Sequence, residues 1–155
     1  MIVLHTLLSH VDSPGQVLRE VSRVVLSDGT GAGFDGDYAS LTWAYPDHTR
    51  AKEIEERLLQ AVVANPRVMR DLPRLVREAD LEIVSPRAMV YAEMGIGGFW
   101  KNAAELFGPV LRRSGLVPST VVDEWLTYQE RAVEERTFFG ASNYYTYLLR
   151  RSRSG

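Results

Sequence analysis

The chain has 155 residues, 45% of them hydrophobic and 25% charged, with a formal net charge of -2, a composition typical of soluble globular proteins and long enough to bury roughly two-thirds of its unfolded surface. It contains no Cys, which excludes disulfides and thiolate metal sites and fits a reducing compartment, with the cytoplasm as the expectation. No apolar run approaches the ~20 residues of a membrane span, the first residues lack the order of a signal peptide, and the near-balanced charge argues against a broad nucleic-acid surface.

In chain order, Ile2-Val3-Leu4 reads as a short apolar strand running into His5-Thr6-Leu7-Leu8-Ser9-His10-Val11. Pro14 suits a first helical turn, Asp12 and Ser13 are candidate caps, and Val17, Leu18, Val21 and Val25 recur at helical spacing; a helix over about 13–26 follows. Asp28-Gly29 breaks it, and Thr30 to Phe34 is a glycine-rich strand leading to an acidic tip, Asp35-Gly36-Asp37-Tyr38. Asp47 is placed to cap a second helix carrying Ile54, Leu58, Leu59, Val62 and Val63 on one stripe, and Asn65-Pro66 ends it. A third helix, about 66–79, contains Pro73, which predicts a kink or a break into two pieces.

From Leu81 to Met94 the β-branched and apolar residues read as a strand, with Pro86 marking an irregularity or an exposed edge, and Gly95-Ile96-Gly97-Gly98 reads as the turn that closes it. Phe99 to Arg113 and Ser119 to Glu135 are amphipathic helices on either side of Gly115 and Pro118. Phe138 to Leu149 is the last strand, dense in Phe and Tyr, and Arg150, Arg151 and Arg153 form a basic tail over 150–155. No repeat or linker divides the chain, so one domain over 1–149 is expected.

Strand, helix, strand, helices, strand, helices, strand is an α/β order in which the first two strands, joined through one helix, should be parallel. The order and its motifs resemble the second half of a class I S-adenosylmethionine-dependent methyltransferase. His5-Thr6-Leu7-Leu8-Ser9-His10-Val11 is similar to the end of that family's fourth strand, Pro14 to Val24 to the following helix, and Asp35-Gly36-Asp37-Tyr38 to the polar tip of its fifth strand. Leu75 to Val84 resembles the helix and turn leading to the sixth strand, and Phe138 to Tyr145 the seventh. The resemblance implies a partial Rossmann-like sheet, α/β, with an antiparallel last strand and helices packed on it. The departures are the absence of a G-x-G loop after the first strand and of an acidic residue at a second-strand tip, the features by which the family holds its cofactor.

By the resemblance, His5 would act as a proton acceptor for a substrate nucleophile, since imidazole titrates near neutrality, and Thr6 would lie against the cofactor. The alternative for His5 is a hydrogen bond to the loop that follows it. Asp35, Asp37 and Tyr38 would face the ligand crevice at the strand ends and bind substrate, or Asp35-Gly36-Asp37 would be a tight turn. Trp43 is one of several aromatic residues suited to an apolar or planar substrate pocket, or to the core. No metal is assigned, because His10 and His48 lack partners at ligand spacing.

The expectation is therefore a methyltransferase-like protein carrying the substrate-side half, able to use S-adenosylmethionine only if the missing half is supplied. The edge at Ile2–Leu4 is expected to be covered by a second copy in a homodimer or by a partner chain. The alternatives are a non-catalytic interaction module, or a repurposed cyclase or lyase acting on a small metabolite with His5 or Asp37 as acid or base. A small-molecule substrate, no nucleic acid and no membrane complete the expectation.

Overall fold

Strand β1 (Ile2–His5) pairs in parallel with β2 (Gly31–Trp43), with Ile2 opposite Gly31, Val3 opposite Ala32, Leu4 opposite Gly33 and His5 opposite Phe34. The ladder is extended at both ends by Ile2 N donating to Thr30 O at 3.0 Å and Thr6 N donating to Phe34 O at 2.8 Å. Helix α1 (Pro14–Val24) makes the crossover between them. After it come α2 (His48–Val62), α3 (Val68–Glu78), β3 (Leu81–Gly95), α4 (Phe99–Ser114), α5 (Ser119–Glu134) and β4 (Phe138–Arg151). The computed structural model describes residues 1–152; Arg153 of the expected basic tail lies outside the described residues, and Arg150 and Arg151 are the last residues of β4.

The sheet has four strands in the order β1-β2-β4-β3, with one parallel pair and the remaining pairs antiparallel. This is the mixed α/β arrangement with an antiparallel last strand that the sequence implied. β1 and β3 are its end strands.

Three expectations need correction. β2 does not stop at an acidic tip: it continues through Asp35-Gly36-Asp37 to Trp43, so those residues are extended backbone and not a turn. The reason is not local: β1 ends at His5, and it is the other neighbour of β2, the 14-residue β4, that carries the sheet on. Of the kink or break that Pro73 predicted, the break does not occur, and α3 is one helix from Val68 to Glu78. Ser13 precedes α1 without a side-chain capping bond, although Asp47 does cap α2, accepting from Arg50 N at 3.0 Å. Among the described residues no helix is long and apolar enough to cross a membrane.

The chain divides into two compact units. The first comprises 1–38, 64–89 and 143–155, and within its described residues Leu4, Leu8, Leu18, Val21, Leu72, Val76, Leu81 and Leu149 form the core. Leu18 and Val21 come from the buried stripe of α1, and Val68, Met69, Leu72 and Val76 from that of α3. The second comprises 39–63 and 90–142. Its centre is a cluster of indoles: Trp43 stands edge-on to Trp125 at 5.3 Å and to Trp100 at 6.2 Å. Two of the three indole N–H groups donate to backbone carbonyls, Trp43 Nε1 to Trp100 O at 3.1 Å and Trp100 Nε1 to Tyr91 O at 3.0 Å, as buried indoles require. Gly140 lies against this cluster, where a Cβ would come within 2.6 Å of Trp100 Cβ.

Candidate functional site

Because β1 stops at His5 and β2 does not, the first unit gathers polar side chains at the carboxyl end of the parallel pair, the end at which open α/β sheets bind ligands. His5 is exposed and Thr6 half-buried. Thr6 Oγ1 and His5 Nδ1 are 3.1 Å apart, which leaves Nε2 as the ring nitrogen facing away from that bond. Thr6 has φ 49°, left-handed backbone for a β-branched residue, a strained conformation of the kind that accumulates at functional sites. The His5 ring lies 5.0 Å from Phe34, which stacks on Tyr144 at 5.5 Å.

The two aspartates differ in what they hold. Asp35 is 1% exposed and its carboxylate is filled: Ser9 Oγ donates at 2.9 and 3.0 Å, Ser9 N at 3.1 Å and Gly36 N at 2.9 Å. It thereby fixes the segment that leaves β1. Asn65 fastens the same segment from the other side, its N–H donating to Ser9 O at 2.9 Å and its amide to Val11 O. Asp37, also 1% exposed, is paired with Arg70 of α3, whose Nη2 is 2.7 Å and Nε 2.9 Å from Oδ2. The Arg70 side chain is 48% exposed, so one face of the pair meets solvent. The bond to Asp37 raises the Arg70 pKa.

Tyr38 completes the cluster. Its pKa is pushed up to about 12, chiefly by burial, then by the negative fields of Asp35 and Tyr144, against a lowering bond with Ser9. It therefore stays a neutral hydroxyl. His10 Nε2 is 3.3 Å from its oxygen and the two rings meet edge to face.

Of the residues singled out in the sequence, His5, Thr6, Asp35, Asp37 and Tyr38 belong to this first unit. Trp43 belongs to the second, 3% exposed in the indole cluster. Sequence reasoning missed Ser9, Asn65 and Arg70. Ser9 stood inside the segment after the first strand, whereas nothing along the chain connects Asp37 with an arginine 33 residues later.

The residues present do not fit a whole S-adenosylmethionine. The cofactor needs free backbone amides in a glycine-rich turn after a strand. β1 is instead followed by Thr6, Leu7 and Leu8, with Leu8 buried. The glycine-rich turn after β3, Gly95 to Gly98, has its last amide and the next two taken: Glu93 accepts from Gly98 N at 3.0 Å, Phe99 N at 2.8 Å and Trp100 N at 2.8 Å.

The fold defined by these strands and helices is methyltransferase-like. A solved structure from Bacillus halodurans C-125, described as a candidate methyltransferase, is similar to this chain over 97% of its length and 68% of that chain's, with a TM-score of 0.53 and 11% sequence identity. At that identity the likeness is one of fold. No family model matches the chain, and no curated protein matches it.

Proposed function

We propose that residues 1–149 form the substrate-side portion of a class I, S-adenosylmethionine-dependent small-molecule methyltransferase, corresponding to the C-terminal half of that family's domain. In this reading the cofactor cradle is supplied by a further polypeptide segment or partner chain, and the protein works in the cytoplasm. The observation that carries it is the polar cluster at the carboxyl end of β1 and β2 on a methyltransferase-like fold.

In this reading His5 is the catalytic residue, its Nε2 taking the proton from a substrate hydroxyl or amine while Thr6 holds Nδ1. Thr6 is also the point at which the chain meets the cofactor. Asp37, Arg70 and Tyr38 bind the substrate's polar groups, and Asp35 positions the loop through Ser9. The β1 edge at Ile2–Leu4 is covered by the segment that completes the sheet, or by a second copy. Trp43 contributes to a substrate pocket in the second unit.

Calorimetric titration with S-adenosylmethionine tests this. The chain by itself is expected to give no saturable heat, and to gain it, with methyl transfer sensitive to His5→Ala, when a G-x-G-bearing first half is joined to it. Saturable binding by this chain alone would overturn the claim that its cofactor site is incomplete.

One observation favours the second reading, an interaction module. The end strand β3, the turn after it and the start of α4 leave Val90, Met94, Ile96 and Phe99 more than half exposed, exposed apolar side chains of the kind found at association sites.

A further inference from the structure

The second unit contains a groove of about 740 Å³ whose walls include Trp43, Tyr45, Tyr128 and Phe139, with Lys52 and Glu55 on its α2 side. It adjoins a hollow of about 570 Å³ that shares Tyr45 and Tyr128. Both volumes fall in the range of about 300–1,000 Å³ usual for small-molecule sites. Tyr45 and Tyr128 meet edge to face at 5.2 Å and 81°, so one ring presents its face where the other presents its edge.

Glu55 is the unusual member. It is half-buried, and its Oε1 accepts from Thr42 Oγ1 at 2.7 Å and from Trp43 N at 3.1 Å. Among the described residues it makes no ion pair, although Lys52 lies nearly one turn away on the same helix. Two hydrogen bonds thus fix one oxygen of a carboxylate that, among the described residues, has no cation within ion-pair distance. Burial lifts its pKa, the bonds from Thr42 and Trp43 pull it down, Glu56 adds to the rise, and the net result is raised. A carboxyl raised in the folded state lends stability below its unfolded pKa and loses it as pH climbs through the folded one. Ionisation of Glu55 is therefore a cost to the fold. An aligned, uncompensated carboxylate among aromatic walls has the chemistry that receives an ammonium group, through a charge-assisted hydrogen bond and the negative faces of the rings.

We infer that this groove binds a small organic cation, an alkyl- or arylammonium compound, with Glu55 as its anchor and Tyr45 and Tyr128 as its walls. The inference concerns the second unit and does not rest on the methyltransferase reading.

The test is calorimetric titration of the full chain with phenethylamine, set against phenethyl alcohol and phenylacetate. Phenethylamine is expected to bind saturably, with affinity at least tenfold above the alcohol and the acid. Glu55→Gln keeps an oxygen for Thr42 and Trp43, so it should fold with a melting temperature equal to or above the parent's at pH 7 and lose tenfold or more in amine affinity. Tyr128→Leu, which leaves the carboxylate in place, should also weaken the amine. Amine affinity should fall on acidification as Glu55 protonates; His48, Lys52, Tyr45 and Tyr128 also face the groove, and a flat acid limb in Glu55→Gln assigns the effect to Glu55. Equal binding of the alcohol, preference for phenylacetate, amine affinity untouched by Glu55→Gln, or no saturable amine binding would each overturn the proposal.

Discussion

Asp35 and Asp37 stand two residues apart in one strand, equally buried, and do different work because different neighbours reach them. Asp35 is enclosed by N–H and O–H donors from its own surroundings, and its carboxylate is saturated. Replacing Ser9 with Ala removes the hydroxyl that both its oxygens accept from, and should cost about 1–3 kcal/mol, the range for taking a partner from a buried polar group. Urea denaturation checks it; a change below a few tenths would mean that water replaces the hydroxyl. Asp37 instead depends on a guanidinium that is half in solvent. Arg70→Met should destabilise by about 1–2 kcal/mol, less than the ~3–5 kcal/mol of a fully enclosed pair because solvent can take over part of the role. A double-mutant cycle with Asp37→Asn separates the pair's coupling from the loss of the Arg70 stem. The aspartates were visible in the sequence as residue types at a strand end. Their partners were not, since Ser9 and Asp35 are 26 residues apart and meet only once β1 and β2 are in register.

Among the elements, helices were more legible than strands. The apolar stripe of α2, the Asp47 cap and the Gly115 stop at φ 68° follow from helical spacing and from residue types with few alternatives. The end of β2 did not follow, because Asp-Gly-Asp has turn chemistry by composition, and β4, the neighbour that is long where β1 is short, keeps it extended. The break that Pro73 suggested was overruled in a similar way: α3 buries Val68, Met69, Leu72 and Val76 on one face, and that packing holds the helix through the proline. The start of α4 at Phe99 was legible, but what holds it was not. Gly98 has no side chain to cap with, and the cap comes from Glu93, back in β3. Burial alone would raise the Glu93 pKa, but the bonds from Gly98, Trp100 and Phe99 and the Tyr91 hydroxyl outweigh it, and the net value is lowered. A lowered carboxyl contributes stability above its unfolded pKa and loses it as pH falls through the folded one. Glu93→Gln should therefore flatten the acid limb of the stability profile below about pH 4.5, the ordinary carboxyl value, and Glu93→Ala should cost about 1 kcal/mol at pH 7, as losing a helix cap does. Thermal melts across pH 3–7 on the variants and the parent read both effects; an unchanged acid limb in Glu93→Gln would assign the acid sensitivity elsewhere.

For the molecule as a whole, the sheet order leaves two strands with an unpaired side, β1 and β3. Any such strand is a template for another chain, and the two differ in how they discourage it. β3 is long, 15 residues, and carries Pro86, which has no N–H to donate, together with Arg87 and Glu93. β1 is only four residues, yet Ile2-Val3-Leu4 offers no charge and no proline, and Val3 is 58% exposed. The less protected edge is the one that the methyltransferase reading assigns to the rest of the sheet. Val3→Lys, which places a charge on that edge without touching a buried side chain, is expected to lower any concentration-dependent mass seen by sedimentation velocity and to leave the thermal melt within about 0.5 kcal/mol of the parent, as surface changes do. Val90→Lys, on the more protected strand, should leave that mass unchanged. The reverse pattern, with Val90→Lys restoring a monomer and Val3→Lys without effect, would move the association to β3 and favour the interaction-module reading, because the surface in use would then be the exposed apolar one and not the edge at which a cofactor-binding half would join.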